Sequence, residues 1–224
     1  MLLSLNFHVS EIHEFEQHKS VDNTLSIFRK ELDTIDRELQ NLKEIRENIH
    51  TKMQFITHDQ SLESDQVIRL KAFPERPCIM ISETNIPDSR VSLSAMEYVH
   101  ARHQKINMIG ACDCYTLDLE NSNPSSLYYR TYNVFLYYPN CNIESNFSLP
   151  AGEYLTLSYV GSPVKTKQYM PSMYRYAKEQ HLKVTGMPIE FDYIDAYETD
   201  NPDEYVIEIQ LPVASSCQEE QPTG

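Results

Sequence analysis

Residues 24–56, TLSIFRKELDTIDRELQNLKEIRENIHTKMQFI, decide how this chain is built. Apolar side chains fall at Leu25, Phe28, Leu32, Ile35, Leu39, Leu42, Ile49, Met53 and Ile56, the three-and-four spacing of a helix with one apolar stripe. Arg46 is the single break, and no Gly or Pro intervenes. Asp22 or Asn23 can cap the first turn. The spacing predicts one long amphipathic helix over residues 20–57. Such a stripe packs on the chain's own domain or pairs with a second copy in a coiled coil, and a length beyond about 25 residues favours the pair. A homodimer through this helix is therefore expected.

Outward from the helix the texture changes on both sides. Residues 1–19 read as a shorter amphipathic helix carrying Leu2, Leu3, Leu5 and Phe7, then Val9, Ile12 and Phe15. Residues 58–66 are polar and serve as a linker. From residue 67 onward strands are expected at 67–73, 78–82, 108–117, 128–138, 153–160, 188–195 and 205–212, with helices at 92–104 and 170–181. The order strand, helix, strand, strand occurs twice, which predicts an α+β domain over 67–213, built from two similar halves, with helices on one face of an antiparallel sheet. Residues 214–224 are expected to be disordered.

Composition narrows the function. A formal charge of −14 with no basic cluster argues against a phosphate-gripping surface, because such surfaces need grouped Lys and Arg. No apolar run approaches the roughly 20 residues needed to span a bilayer, and no basic leader opens the chain, so a cytoplasmic protein with no membrane partner is expected. Cys78, Cys112, Cys114, Cys141 and Cys217 form an odd set without a zinc-knuckle spacing and read as reduced thiols. Motifs for catalysis are lacking: there is no HExxH, GxSxG or glycine-rich phosphate loop, and His100 and His103 have no third ligand nearby. Neither a metal nor a cofactor is expected, and the chain is not expected to be an enzyme.

The aromatic choice is skewed, with 15 tyrosines and no tryptophan. Tyrosines lining a cavity would hold a flat, lipophilic or cationic molecule by stacking and cation–π attraction worth about 0.5–2 kcal/mol each. Strand preference alone also accounts for any single one of them. Within PIEFDYI, residues 188–194, alternation puts Ile189, Phe191 and Tyr193 on one face and Glu190, Asp192 and Ile194 on the other. If Glu190 faces a closed tyrosine-lined pocket, its desolvation calls for a counter-charge that a bound cation supplies. If that face is open, Glu190 is a solvated carboxylate.

Several stretches carry a family resemblance. Residues 2–56, with FHVSEIHEF, SVDNTL and IDREL, resemble the end of a MerR-type DNA-binding domain followed by that family's dimerisation helix. From residue 68 on, RLKAFPERP, LPAGEY, PIE and YETDNPDEYVIEIQLPV resemble the GyrI-like effector-binding domain. The resemblance implies a ligand-responsive transcription regulator in which a buried glutamate on the PIE strand, here Glu190, and a pocket tyrosine, here Tyr205, hold lipophilic cations. Tyr132, Tyr154 and Tyr169 are further candidates, and Asp192 departs from the family by making the pocket more polar. DNA is expected as a partner only if the winged helix-turn-helix, of which residues 1–19 resemble the last helix, is supplied. Two alternatives stay open: a stand-alone small-molecule-binding or sequestering protein, and a small-molecule hydrolase using the pocket glutamate.

Overall fold

Ser20 opens the first helix, α1 (Val21–His58), by accepting the backbone N–H of Asn23 on its hydroxyl at 3.0 Å. The cap is thus Ser20 rather than Asp22 or Asn23, and Asp22 instead sits in the first turn, where a negative charge suits the helix dipole. The computed structural model describes residues 17, 19–58, 67–83, 97–98, 101, 110–138 and 144–215. The chain divides into two compact units, Met1–Glu47 and Asn48–Gly224. In the first, Leu25, Leu32, Ile35, Leu39 and Leu42 of the stripe are all exposed and Phe28 is half-buried. Ile49 and Met53, in the second unit, are exposed as well. Ile56 lies in the helix, but its side chain is outside what is described, as are linker residues 59–66, nearly all of residues 1–18 and most of the expected helix at 92–104, of which Glu97, Tyr98 and Ala101 are described as helical.

The second unit holds the strands β1 (Arg69–Phe73), β2 (Arg76–Ser82), β3 (Cys112–Asp118), β4 (Arg130–Tyr137), β5 (Phe147–Leu149), β6 (Gly152–Val160), β7 (Leu182–Val184), β8 (Ile189–Ile194) and β9 (Val206–Ser215). Helix α2 (Thr166–Glu179) stands between β6 and β7. It starts four residues before the expected 170, because Pro171, which reads as a helix start, sits on the exposed side of a helix already under way. The short strands β5 and β7 carry too few residues to show a period. β9 runs to Ser215, two residues into the segment expected to be disordered.

All pairings are antiparallel, in the order β1-β6-β9-β8-β3-β4-β2-β5, with β7 also on β9. The half-sheet β6-β9-β8 repeats as β2-β4-β3, and the two halves join where β8 pairs with β3. This is the expected α+β domain: a long N-terminal helix, then a duplicated antiparallel sheet against whose outer face α2 packs. β1 and β2, six places apart in the order, are joined by Pro74 and Glu75 alone. A flat sheet would separate them by about 29 Å, and three peptide steps reach about 10 Å. The sheet therefore curls until its ends approach.

The curl makes two cores. Inside lie Cys78, Cys112, Cys114, Phe135, Tyr154, Ile189 and Phe191, the three thiols being reduced and raised by burial above their ordinary range. Arg76 is buried among them, 4.3 Å from the Phe73 ring centre and 5.0 Å from that of Tyr154, and donates to Gln210 at 2.8 Å. Outside, Met170, Met173 and Ala177 of α2 cover Leu155, Leu157, Ile207, Ile209 and Leu211. Among the described residues no helix is long and apolar enough to cross a membrane.

Gly110 precedes β3 with φ +87°, and a Cβ there would stand 2.9 Å from the Cβ of Asn48, itself 3% exposed. Both the backbone and the neighbour thus demand glycine. Gly110→Ala is expected to lower the unfolding free energy by about 2 kcal/mol, measured by urea denaturation; an unchanged midpoint would show that Asn48 moves aside freely.

Candidate functional site

Alternation on β8 sends Phe191 inward to the aromatic core and Glu190 and Asp192 outward, and the β3–β8 pairing sets Tyr115 opposite Glu190 and Asp113 opposite Asp192. These side chains floor a cavity of about 640 Å³ at the seam of the two half-sheets. Its walls include Tyr128, Tyr129, Ser162, Pro163 and Thr166, with Asp195, Ala196, Tyr197 and Tyr205. Volume and lining suit a drug-sized organic molecule.

Each wall has its own support. Tyr205 follows a single 3₁₀ turn, Pro202–Glu204, capped by the Asn201 side chain on the N–H of Asp203 at 3.2 Å. Its carbonyl accepts the N–H of Gly161 at 2.8 Å, at a glycine whose φ of +112° disfavours any other residue. Tyr128 and Tyr129 arrive on the β3–β4 loop, which Lys167 holds by donating to the carbonyls of Asn123 (3.1 Å) and Ser126 (2.7 Å), with its ammonium 5.1 Å from the Tyr129 ring centre.

Glu190 is the chemical centre, and it is 8% exposed. Thr166, at the start of α2, donates its hydroxyl to Glu190 Oε2. Because that proton is committed, the Tyr159 hydroxyl, 2.6 Å from Thr166 Oγ1, is the donor in the second bond, giving a chain Tyr159 to Thr166 to Glu190. Burial pushes the Glu190 carboxyl up to about 7, against the pull of the Thr166 hydrogen bond. Burial, reinforced by Glu190, likewise holds the Tyr159 phenol protonated far above its ordinary range. Near neutrality the cavity thus contains a carboxyl poised between its protonated and ionised forms, and an incoming positive charge would favour the ionised one.

Residues 67–214 match the GyrI-like small-molecule-binding domain. The chain belongs to that family. The sheet of this GyrI-like domain resembles the C-terminal domain of EcmrR at 17% identity and a TM-score of 0.51, over 66% of this chain and 98% of that one. Longer EcmrR, in its complex with DNA, aligns at 16% identity and a TM-score of 0.47, over 96% of this chain and 80% of that one. A hydrolase from Listeria innocua aligns at 12% identity and 0.48, over 71% and 98%. At these identities the likeness is one of fold. No curated protein matches the chain in sequence.

Of the residues singled out from the sequence, the GyrI-like cavity brings together Glu190 and Tyr205. Tyr154 faces the other side of the sheet, where its ring packs on Phe73 and Arg76 and its hydroxyl donates to the carbonyl of Pro150. Tyr169 lies on α2 against Tyr159, ring centres 5.0 Å apart, and Tyr132 is half exposed on β4; neither lines the cavity. Tyr159, five residues after Tyr154 on β6, takes the opposite face by simple alternation, so parity along that strand could have selected it. Thr166 carries no such signal, since its role depends on how α2 returns to the sheet. Among the described residues no group of three His, Cys, Asp or Glu side chains is placed to hold a metal ion; His100 and His103 lie outside them.

The raised Glu190 carboxyl links stability to pH. Below its ordinary value of 4.5 both folded and unfolded chains hold the proton; from there to about 7 the unfolded chain releases it while the folded chain does not. Folding stability is therefore expected to fall across that window and level off above it, by an amount on the order of 3 kcal/mol. Glu190→Gln should remove this fall in a pH series of denaturant titrations; parallel curves for the two proteins would refute it.

Proposed function

We propose that this chain is the ligand-sensing and dimerising part of a MerR-type transcription regulator, whose GyrI-like domain takes up a lipophilic or cationic small molecule against Glu190. The observation that carries the proposal is a buried carboxyl, hydrogen-bonded by Thr166, at the floor of a cavity walled by Tyr115, Tyr128, Tyr129, Tyr197 and Tyr205. A cation supplies what Glu190 gave up on leaving water, and the tyrosine faces add cation–π attraction. The exposed apolar stripe of α1 supports pairing of two copies, because a row of Leu and Ile on one helix face is stabilised by burial. DNA contact belongs to the winged helix-turn-helix of such regulators. In this scheme the chain binds its ligand and does not turn it over.

Two measurements test the scheme. Calorimetric titration with tetraphenylphosphonium and with the neutral triphenylphosphine oxide is expected to show binding of the cation, tightening as pH rises from 6 to 8. In Glu190→Gln the cation should bind about 30-fold more weakly, a loss of about 2 kcal/mol. Equal affinity in both proteins would remove Glu190 from the site, and substrate consumption that vanishes in Glu190→Gln would establish a hydrolase instead. Separately, sedimentation should find a dimer that the double variant Leu32→Glu, Leu39→Glu converts to a folded monomer, since both side chains are exposed in the single chain at 58% and 50%. A wild-type monomer at high concentration would rule out pairing through α1.

A further inference from the structure

The last turns of α1 belong to the same compact unit as the sheet, Asn48–Gly224, and are fixed to it at two points. Asn48 packs on Gly110. One turn later Lys52 forms an ion pair with Glu198, Nζ to Oε1 2.9 Å, and also donates to the backbone carbonyl of Tyr193 near the end of β8. The pair is sheltered, with side-chain exposures of 16% and 33%. The second oxygen of Glu198 accepts the N–H of Asp195 at 3.0 Å, and the Asp195 carboxylate accepts the N–H of Tyr197 at 2.8 Å. Asp195, Ala196 and Tyr197 are wall residues of the cavity. A single lysine of the helix thus grips both ends, 193 and 198, of the short segment that forms one side of the ligand site.

We propose that Lys52 is the link through which occupancy of the cavity is transmitted to α1: a ligand that repositions Asp195, Ala196 and Tyr197 moves Glu198, and Glu198 carries the helix with it through Lys52. The proposal rests on the reading that the cavity holds a ligand. Its physical content is a shared set of contacts. The segment cannot shift outward without stretching the Lys52–Glu198 pair or drawing the helix along, and a partly sheltered ion pair resists separation more than an exposed one. The interaction also reaches the wall itself: burial raises the Asp195 carboxyl, and Lys52 pulls it the other way. Lys52 is a positioning residue here, acting on the ligand site through Glu198 and the Tyr193 carbonyl.

Coupling of this kind is reciprocal, so it is readable from either end and without a ligand. Hydrogen exchange followed by mass spectrometry on the full chain is the test. Lys52→Met, which keeps the stem and removes the donors, is expected to speed exchange of the amides of residues 193–199 about tenfold, and Lys52→Arg to restore protection. From the other end, Tyr197→Ala is expected to speed exchange in helix residues 50–56 when Lys52 is present and to leave them unchanged in the Lys52→Met background. A Tyr197→Ala effect on the helix that is absent, or of equal size in both backgrounds, overturns the link. In a third arm, saturating tetraphenylphosphonium should slow exchange of residues 50–56 in the wild type and not in Lys52→Met; equal slowing in both overturns the link too. If this probe does not bind the wild type, the functional reading fails, and the two ligand-free arms still decide whether Lys52 couples helix and cavity.

Discussion

The antiparallel pairing of β3 with β8 is the constraint on which the rest depends. Without it the chain has two separate sheets, one of β1, β6, β9, β8 and β7 and one of β3, β4, β2 and β5; with it they form one sheet whose seam carries the cavity. The same ladder sets Tyr115 across from Glu190 and Asp113 across from Asp192. It also places Glu190 where α2, returning over the second half-sheet, can present the Thr166 hydroxyl to it. Sheet pairing, helix packing and carboxylate chemistry therefore meet at one residue. The duplication matters functionally for this reason: a crevice arises where two copies abut, and it need not have been hollowed out of either.

Much of this architecture is legible in the residues. The three-and-four spacing between Leu25 and Ile56 gives α1 because a long helix with one apolar stripe has no other economical solution. Residues 205–212 and 153–160 read as strands because both faces of β9 and β6 are covered, making nearly every position there apolar or paired. Glu190 and Tyr205 were visible through the resemblance of PIE and the YETDNPDEY stretch to a known family. What the sequence withholds is whatever depends on how distant segments meet. In GEYLTLSYV the odd spacing separates Tyr154, in the Arg76 cage, from Tyr159 on the other face, but that the Tyr159 hydroxyl meets Thr166 depends on where α2 returns. Lys52 and Glu198 stand far apart in the chain, and no periodicity announces their ion pair.

The energetics of the site differ in kind from those of the cores around it. Leu155, Leu157, Ile207 and Ile209 are buried apolar groups whose removal from water stabilises the fold directly, at about 25 cal/mol per Å². Glu190 works against that gain, since its carboxyl is taken out of water with the Thr166 hydroxyl as its hydrogen-bond donor. The carboxyl therefore costs stability in the folded protein, and a positive charge beside it would offset that cost.

Arg76 has a consequence for how the chain avoids folding wrongly. Inside the curl the protein provides its own cation, enclosed by Phe73, Tyr154, Tyr137 and Phe191; outside, one strand thickness away, stand Glu190 and Asp192. A slip of β8 by one residue would carry every one of its side chains to the other side. Phe191 and Ile189 would leave the inner core, where Phe191 shelters the guanidinium, for the polar floor of the cavity. Misregistered pairing thus strips the Arg76 cage and puts apolar side chains on the cavity floor, so the cage and the pocket together hold the sheet in one register.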